Sequence, residues 1–227
     1  MPSTPVALVT GSARRIGAAI ARALHAAGYD LALHYRSSSD DVDALAAELE
    51  RARPGSTVRL QADLAGFDRL PELVAQTVGR FGRLDALVNN ASGFFPTPVG
   101  EATPAQWDAL FATNARAPLF LSQAAAPHLA RNGGAIVNLT DLYGERPLAG
   151  HSIYCMAKAA LLMATKSLAL ELGPGVRRNI ACRAASSPPP SSGHRIAPGD
   201  TALTRTCGPS SSASERVAIN SAALAMQ

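Results

Sequence analysis

The chain has 227 residues, of which 47% are hydrophobic and 17% charged, a balance typical of one globular domain with a sizeable core. The net charge is only +4 and no dense basic run occurs, so binding to nucleic acid or to a membrane surface is not indicated. The three cysteines form neither a C-x-x-C motif nor a zinc-ligand pattern, which predicts no metal site and fits a reducing cytoplasm. The N-terminus does not resemble a signal peptide, and we expect no apolar run long enough to span a bilayer.

Short apolar strands alternate with amphipathic helices along most of the chain. We predict strands at residues 6–10, 31–35, 58–61, 84–88 and 135–139. We predict helices over residues 16–27, from Asp40 or Asp41 to just before Pro54, over 68–81, from Pro104 to Leu129 with a break near Pro118, and after Asp141. This alternation predicts an α/β fold of the Rossmann type, a doubly wound parallel sheet with helices on both faces.

Unusual residues cluster where four of these strands end. They are the turn 11–17, residues 35–37, residues 89–94, and Asp141. Because ligands of such sheets bind at the carboxyl ends of the strands, the clustering predicts a single ligand cleft at this edge.

The turn TGSARRIG, residues 10–17, follows the first strand and opens the first helix, so its backbone could approach a pyrophosphate. It is not G-x-G-x-x-G, because Arg15 stands at the middle glycine position, and an ordinary strand–helix turn is the alternative. The second strand ends in LHYRSSSD, with no carboxylate before Asp40. Arg36, helped by Arg14 or Arg15, therefore favours NADP over NAD, unless Arg36 is merely a solvated loop residue.

Three further polar positions suggest specific tasks. Asp63 follows the third strand, where it could meet an adenine ring, cap a helix, or do both. The segment LVNNAS, residues 87–92, supplies small polar groups for a cofactor groove. Asn114 lies in the middle of a helix, where asparagine is poorly favoured, so a specific polar role competes with simple solvent exposure.

Tyr154 and Lys158 are four residues apart, which places both side chains on one helical face. A lysine ammonium beside a phenol favours the phenolate, so we expect Lys158 to lower the pKa of Tyr154 and make it a usable general acid. The alternative is an ordinary surface pair with the same spacing.

Taken together, TGSARRIG, LVNNAS, Asn114 and Tyr154-Cys155-Met156-Ala157-Lys158 resemble the short-chain dehydrogenase/reductase family over roughly residues 5–176. Within it the chain is most similar to the pteridine reductases. Four details carry this: Arg15 at the middle glycine position, HYRS after the second strand, NNASGFFPTP after the fourth, and Asp141 where a catalytic serine is usual.

The resemblance implies NADPH as cofactor and a pterin or folate as substrate. It implies that Tyr154 donates a proton with Asp141 in a relay, that Lys158 holds the nicotinamide ribose, and that Asn114 positions the lysine through water. The implied cofactor residues are Gly11, Arg15, Ile16, Tyr35, Arg36, Ser37, Asp63, Leu64, Asn90, Ala91, Ser92 and Lys158. The implied substrate residues are Arg15, Ser92, Phe94 and Tyr143, with Leu148 as a further wall. Phe94 would stack on the pterin, or would instead be a loop anchor packed on the core.

After Gly173 the sequence departs from the family pattern, and we predict a reductase domain over residues 1–181 and an atypical Ser/Pro-rich tail over 182–227. One hypothesis is a frameshift, because residues 190–193 could be encoded by bases that read Ala-Ile-Leu-Trp in another frame. Loss of the sixth and seventh strands would expose a sheet edge and remove contacts of the homotetramer usual in the family. Resequencing and protein mass test the hypothesis.

Two alternatives to a pteridine reductase stay open. One is a general short-chain carbonyl reductase, acting for example on 3-oxoacyl thioesters, against which Asp141 and Phe94 argue. The other is a catalytically impaired NADP-binding protein, which the tail favours.

Overall fold

The computed structural model describes residues 4–173 and 175–176, together with the backbone of residues 178–184. The strands are β1 (Val6–Val9), β2 (Asp30–Tyr35), β3 (Thr57–Gln61), β4 (Ala86–Asn89), β5 (Ala135–Asp141) and β6 (Arg178–Ala184). They form one sheet in the order β3-β2-β1-β4-β5-β6, and every pairing is parallel. The predicted Rossmann-type sheet is confirmed.

The helices are α1 (Arg15–Ala26), α2 (Ser39–Ala52), α3 (Arg69–Phe81), α4 (Pro104–Phe111), α5 (Ala117–Asn132) and α6 (Ser152–Leu172). A π-helical turn, Ala112–Arg116, joins α4 to α5, and a 3-10 turn, Leu142–Gly144, follows β5. Apolar side chains of α1 and α2 pack on one face of the sheet, and those of α3 and α5 pack on the other. These two apolar layers, one on each face, hold the sheet in place, so that the carboxyl ends of its strands lie along one edge.

Two helix starts test the local predictions. The predicted break near Pro118 is confirmed, because the π-helical turn ends one residue before α5 begins at Ala117. The prediction that Asp40 or Asp41 caps α2 is wrong, since the N-cap is Ser38. Both aspartates lie in the first turn of α2, where their charge still favours the positive end of the helix dipole.

The sheet continues into the segment where the sequence pattern weakens. Strand β6 pairs with the whole of β5, from Ala135 opposite Arg178 to Asp141 opposite Ala184. Strand β6 therefore runs three residues past the predicted domain boundary at residue 181. The sixth strand, which we expected to be lost because of the atypical tail, is present. The frameshift segment, residues 190–193, lies outside the described residues, and so does the region in which the seventh strand was expected to be lost.

Helix α6 contradicts the expectation that no apolar run is long enough to cross a bilayer. Among the described residues, α6 is the one helix that is long and apolar enough to cross a membrane by length and composition alone. It has 21 residues and a mean hydropathy of 1.4. It packs on β5, however, and buries Tyr154, Lys158 and Leu161 against the rest of the fold. We therefore treat α6 as a core helix of the domain.

Candidate active site

A cleft of about 740 Å³ opens at the carboxyl ends of the strands, as predicted. Its walls come from the turn after β1, the ends of β2, β3, β4 and β5, and the start of α6. All twelve predicted cofactor residues line it: Gly11, Arg15, Ile16, Tyr35, Arg36, Ser37, Asp63, Leu64, Asn90, Ala91, Ser92 and Lys158. Residues from distant parts of the chain therefore meet at one site.

The turn after β1 is packed too closely for larger residues at two positions. Gly11 has φ +63°, and a Cβ there would lie 3.0 Å from the backbone of Ala91. A Cβ on Gly17 would lie 2.1 Å from the Gly11 carbonyl oxygen and 2.6 Å from Nδ2 of Asn90. Arg15 has φ +50°, a left-handed conformation that explains why glycine would be the easier residue here.

Side chains that directly follow β1 and β4 hold this turn in place. Asn90 Nδ2 donates hydrogen bonds to the carbonyl oxygens of Thr10, at 2.9 Å, and Gly11, at 3.0 Å. Thr10 Oγ1 in turn accepts from the backbone N–H groups of Asn90 and Ala91. Asn90 thus both lines the cleft and joins two strand ends, whereas the contribution of Thr10 was missed by the sequence analysis.

The residues of this half of the cleft fit a dinucleotide phosphate. The N-cap residue of α1, Arg14, makes no side-chain cap hydrogen bond, and no acid lies in the first turn, so the helix end suits an anion. Arg14 is paired with Asp41 at 2.5 Å, whereas Arg36 has no carboxylate partner within the part of the chain that the structure describes. Arg36 therefore suits a 2′-phosphate better than Arg14 does.

Asp63 combines its two predicted uses. Its Oδ1 accepts a hydrogen bond from the backbone N–H of Ala65 at 2.9 Å, so it shapes the turn after β3. It also lines the cleft beside Leu64, where an adenine ring would be held. The adenine contact stays a prediction.

The other half of the cleft holds Tyr154, Asp141 and Lys158. The Tyr154 hydroxyl donates a 2.6 Å hydrogen bond to Oδ2 of Asp141, and Oδ1 of Asp141 accepts from the backbone N–H of Tyr143. Lys158 Nζ donates to the carbonyl oxygen of Leu139 at 2.9 Å. All three side chains line the cleft although each is at least 96% buried.

The expected effect of Lys158 on Tyr154 is not observed. Burial raises the pKa of the Tyr154 phenol well above its usual value, and the charge of Asp141 and the hydrogen bond to it raise it further; Ser92 opposes these effects. Lys158 cannot outweigh them, because its ammonium is bonded to Leu139 and lies 5.8 Å from the centre of the Tyr154 ring. Burial lowers the pKa of Lys158 itself to about 8, against the effect of Asp141, so the lysine is mostly charged at neutral pH.

Asn114 lies in the π-helical turn and is completely buried. Its Oδ1 accepts a hydrogen bond from Ser92 Oγ at 2.7 Å, and its Nδ2 donates to the carbonyl oxygen of Gly93 at 2.9 Å. Asn114 thus supports the loop before Phe94 from behind and does not line the cleft. Its predicted contact with Lys158 through water stays a prediction.

The two aromatic substrate residues have different positions. Phe94 is 47% exposed, lines the cleft, and meets the Tyr154 ring nearly at right angles with centroids 4.8 Å apart. Tyr143 is buried in a cluster with Leu110, Ile153 and Tyr154, against which Leu148 also packs. Tyr143 does not line the described cleft, because its ring packs into this cluster, and its part in substrate binding stays a prediction.

His34 is a site residue whose role the sequence did not reveal. It is buried, its Nδ1 accepts a hydrogen bond from the Gly11 N–H at 3.1 Å, and its Nε2 donates to the carbonyl oxygen of Ala62 at 3.1 Å. The imidazole thus joins the ends of β1, β2 and β3 at the wall of the cleft. Because Nδ1 must stay free of a proton to accept, the neutral form is required.

We expect this arrangement to make stability depend on pH. Burial lowers the pKa of His34 to about 4, partly opposed by Ala62 and Asp63, from about 6.5 in the unfolded chain. As the pH falls, the unfolded chain therefore binds the extra proton first. Neutral His34 contributes about 3 kcal/mol to the free energy of unfolding above pH 6.5, and this contribution is lost as the pH falls towards 4. Urea unfolding from pH 4 to 7 should give a shallower dependence for His34→Gln than for the wild type. Parallel curves would contradict this.

A buried polar chain crosses the sheet beneath the cleft. Asn89 Nδ2 donates to Asn138 Oδ1 at 2.8 Å, and Asn138 Nδ2 donates to Thr165 Oγ1 at 2.9 Å. These hydrogen bonds fix the position of α6 along β5, because Thr165 lies on the helix that carries Tyr154 and Lys158. This link could not be predicted from the sequence, since asparagines inside strands have no distinctive spacing.

Comparison with known proteins agrees with this geometry. The family model described as short chain dehydrogenase matches residues 5–189. Pteridine reductase 1 from Leishmania tarentolae is 41% identical over 209 residues, which cover 75% of this chain and 72% of that protein. L-xylulose reductase from Bos taurus is 40% identical over 170 residues (74% and 66%). The 3-oxoacyl-[acyl-carrier-protein] reductase FabG from Staphylococcus epidermidis is 34% identical over 167 residues (73% and 68%).

Proposed function

The chain belongs to the short-chain dehydrogenase family of oxidoreductases, and within that family we propose that it is an NADPH-dependent reductase of pterins or folates. The observation that carries the proposal is the pairing of Tyr154 with a carboxylate, Asp141, at 2.6 Å, with the half-exposed ring of Phe94 directly beside them. A flat heteroaromatic ring uses such a neighbour better than a simple ketone does. The similarity to pteridine reductase 1 from Leishmania tarentolae supports the same substrate class.

The proposed chemistry is reduction of a C=N bond. NADPH, when bound, would supply a hydride to the carbon. Because the raised pKa of Tyr154 makes the phenol a weak acid, we propose that it gives its proton to the nitrogen as the hydride arrives and makes that nitrogen strongly basic. Negative charge then develops on the Tyr154–Asp141 pair, and the buried ammonium of Lys158 stabilises it. The phenol then regains a proton from solvent water, and Asp141 is the group through which that proton passes.

The choice of NADPH over NADH rests on the end of β2. The cleft there is lined by Tyr35, Arg36 and Ser37, and the first carboxylate after β2, Asp40, does not line it. A guanidinium at this place favours a 2′-phosphate, while a free ribose hydroxyl would call for an acid. Sparse cysteine usage supports a cytoplasmic location as part of the proposal.

An assay of NADPH oxidation on purified protein of verified mass tests the proposal. Dihydrobiopterin, dihydrofolate and an acetoacetyl thioester should be compared as substrates, each with NADPH and with NADH. We expect turnover of one of the first two, with kcat/KM higher for NADPH. Turnover of the thioester alone would contradict the proposal, and retained NADPH binding without any turnover would favour the catalytically impaired alternative.

Replacing Asp141 by serine should separate pterin reduction from general carbonyl reduction. Serine removes the carboxylate that pairs with the Tyr154 hydroxyl, so we expect kcat/KM for dihydrobiopterin to fall about 10- to 100-fold. The matched control is Asp108→Ser, the same change at an exposed carboxylate on α4. An unchanged rate in Asp141→Ser would remove the main reason for preferring a pterin.

A carbonyl reductase is the second candidate function. The similarity to FabG from Staphylococcus epidermidis and to bovine L-xylulose reductase favours it, since both are reductases of the same family as this chain. Asp141 would then replace the serine that is usual at this position, which argues against the candidate.

A further inference from the structure

His151 lies immediately before α6 and stacks on Phe94. The two rings are 4.6 Å apart between centroids and only 11° from parallel. Phe94 lines the cleft, whereas His151 does not. The imidazole therefore covers one face of Phe94, and the ring is still 47% exposed, which leaves surface for a ligand.

The backbone on both sides of this stack is fixed. Thr97, three residues after Phe94, donates its N–H to the Gly150 carbonyl oxygen at 2.6 Å. Its carbonyl oxygen accepts from Ser152 Oγ at 3.0 Å, and its Oγ1 accepts from the Ile153 N–H at 3.2 Å. These bonds join the Phe94 loop to the start of α6, but they hold the backbone and not the phenyl ring, which Tyr154 contacts edge to face.

The imidazole adds a restraint on the face of the phenyl ring. Its Nδ1 bonds to the carbonyl oxygen of Ala149 at 3.0 Å, and because a carbonyl oxygen only accepts, Nδ1 carries the proton. This bond fixes the plane of the imidazole, and the near-parallel stack transfers that orientation to Phe94. A ring held in its binding orientation loses less conformational entropy when a flat ligand stacks on it.

We propose that His151 is a positioning residue for substrate binding: its imidazole holds the Phe94 ring in the orientation that receives a pterin. This inference rests on the proposed function. It goes beyond it by assigning to His151 a part in substrate affinity, while hydride transfer and cofactor binding remain independent of it.

Two substitutions at His151 separate the stack from the hydrogen bond. His151→Phe keeps an aromatic ring against Phe94 and removes the bond to Ala149, whereas His151→Asn can keep that bond and removes the ring. In His151→Asn we expect the dissociation constant and the KM of dihydrobiopterin to rise about three- to tenfold. In His151→Phe both should stay within about twofold of the wild type. In both variants the KM of NADPH and the kcat at saturating pterin should be unchanged.

The outcomes distinguish this inference from the proposed function. A wild-type protein that neither binds nor reduces dihydrobiopterin would overturn both. A wild type that reduces it, with His151→Asn equal to the wild type or His151→Phe as impaired as His151→Asn, would overturn only the role of the stack. Tighter pterin binding in His151→Asn would also overturn it, because the imidazole would then occupy a surface that the ligand needs.

Discussion

Replacing Tyr154 by phenylalanine is expected to lower kcat for pterin reduction by about 10²- to 10⁴-fold, the usual contribution of a general acid. The change removes only the hydroxyl that donates to Asp141, while the ring keeps its packing against Phe94, Leu110 and Ile153. The NADPH dissociation constant should therefore change little. Steady-state kinetics together with a binding titration of NADPH measure the two quantities separately.

Tyr29→Phe is the matched control for this prediction. Tyr29 lies between α1 and β2, at the edge of the sheet opposite the cleft, and packs on the core there. Its kcat should remain close to that of the wild type. If Tyr154→Phe kept more than about a tenth of the wild-type rate, Asp141 would have to be the direct proton donor.

Replacing Gly17 by alanine is expected to weaken NADPH binding strongly. The new methyl group would lie 2.1 Å from the Gly11 carbonyl oxygen and 2.6 Å from Asn90 Nδ2, and neither can move without breaking the joint between β1 and β4. Overpacking of this kind costs about 2–3 kcal/mol. Because this strain is present in the conformation of the turn that binds NADPH, we expect NADPH binding to weaken roughly 30- to 150-fold. Isothermal titration with NADPH measures the loss.

The same substitution at Gly79 provides the control. Gly79 lies on the exposed side of α3, where an added Cβ would meet nothing within 4 Å. Because alanine is the better helix former, Gly79→Ala should raise the free energy of unfolding by up to about 1 kcal/mol and leave NADPH binding intact. Equal NADPH binding by Gly17→Ala and Gly79→Ala would show that the turn is not the cofactor cradle.

The fold and the cofactor half of the site could be read from the sequence because both follow from periodicity. Strands of four to seven residues alternate with helices, and parallel strands all end at one edge, so residues that directly follow each strand must meet. This rule predicted one cleft for Arg15, Arg36 and Ser92, whereas Asp63 was assigned to the cofactor by its place after the third strand and by the family resemblance. No contact between side chains had to be known.

The other half of the site depends on directions that periodicity does not determine. The spacing of Tyr154 and Lys158 put them on one helical face, but it could not show that Leu139 would take the lysine and Asp141 the phenol. Tyr143 sits two residues after Asp141, yet the 3-10 turn there rotates its ring into the core. Sequence position alone could not predict either outcome.

The π-helical turn joins α4 and α5 into one continuous helical segment that packs against two different apolar clusters. Leu110 and Leu121 are eleven residues apart, close to three turns of regular α-helix, and would then lie on almost the same line along the segment. The wider turn between them delays the helical phase, and the two leucines point into different clusters. Leu110 packs against Tyr154, whereas Leu121 packs under the sheet. The π-helical turn thus lets one continuous helical segment support Tyr154 at one end and the sheet at the other.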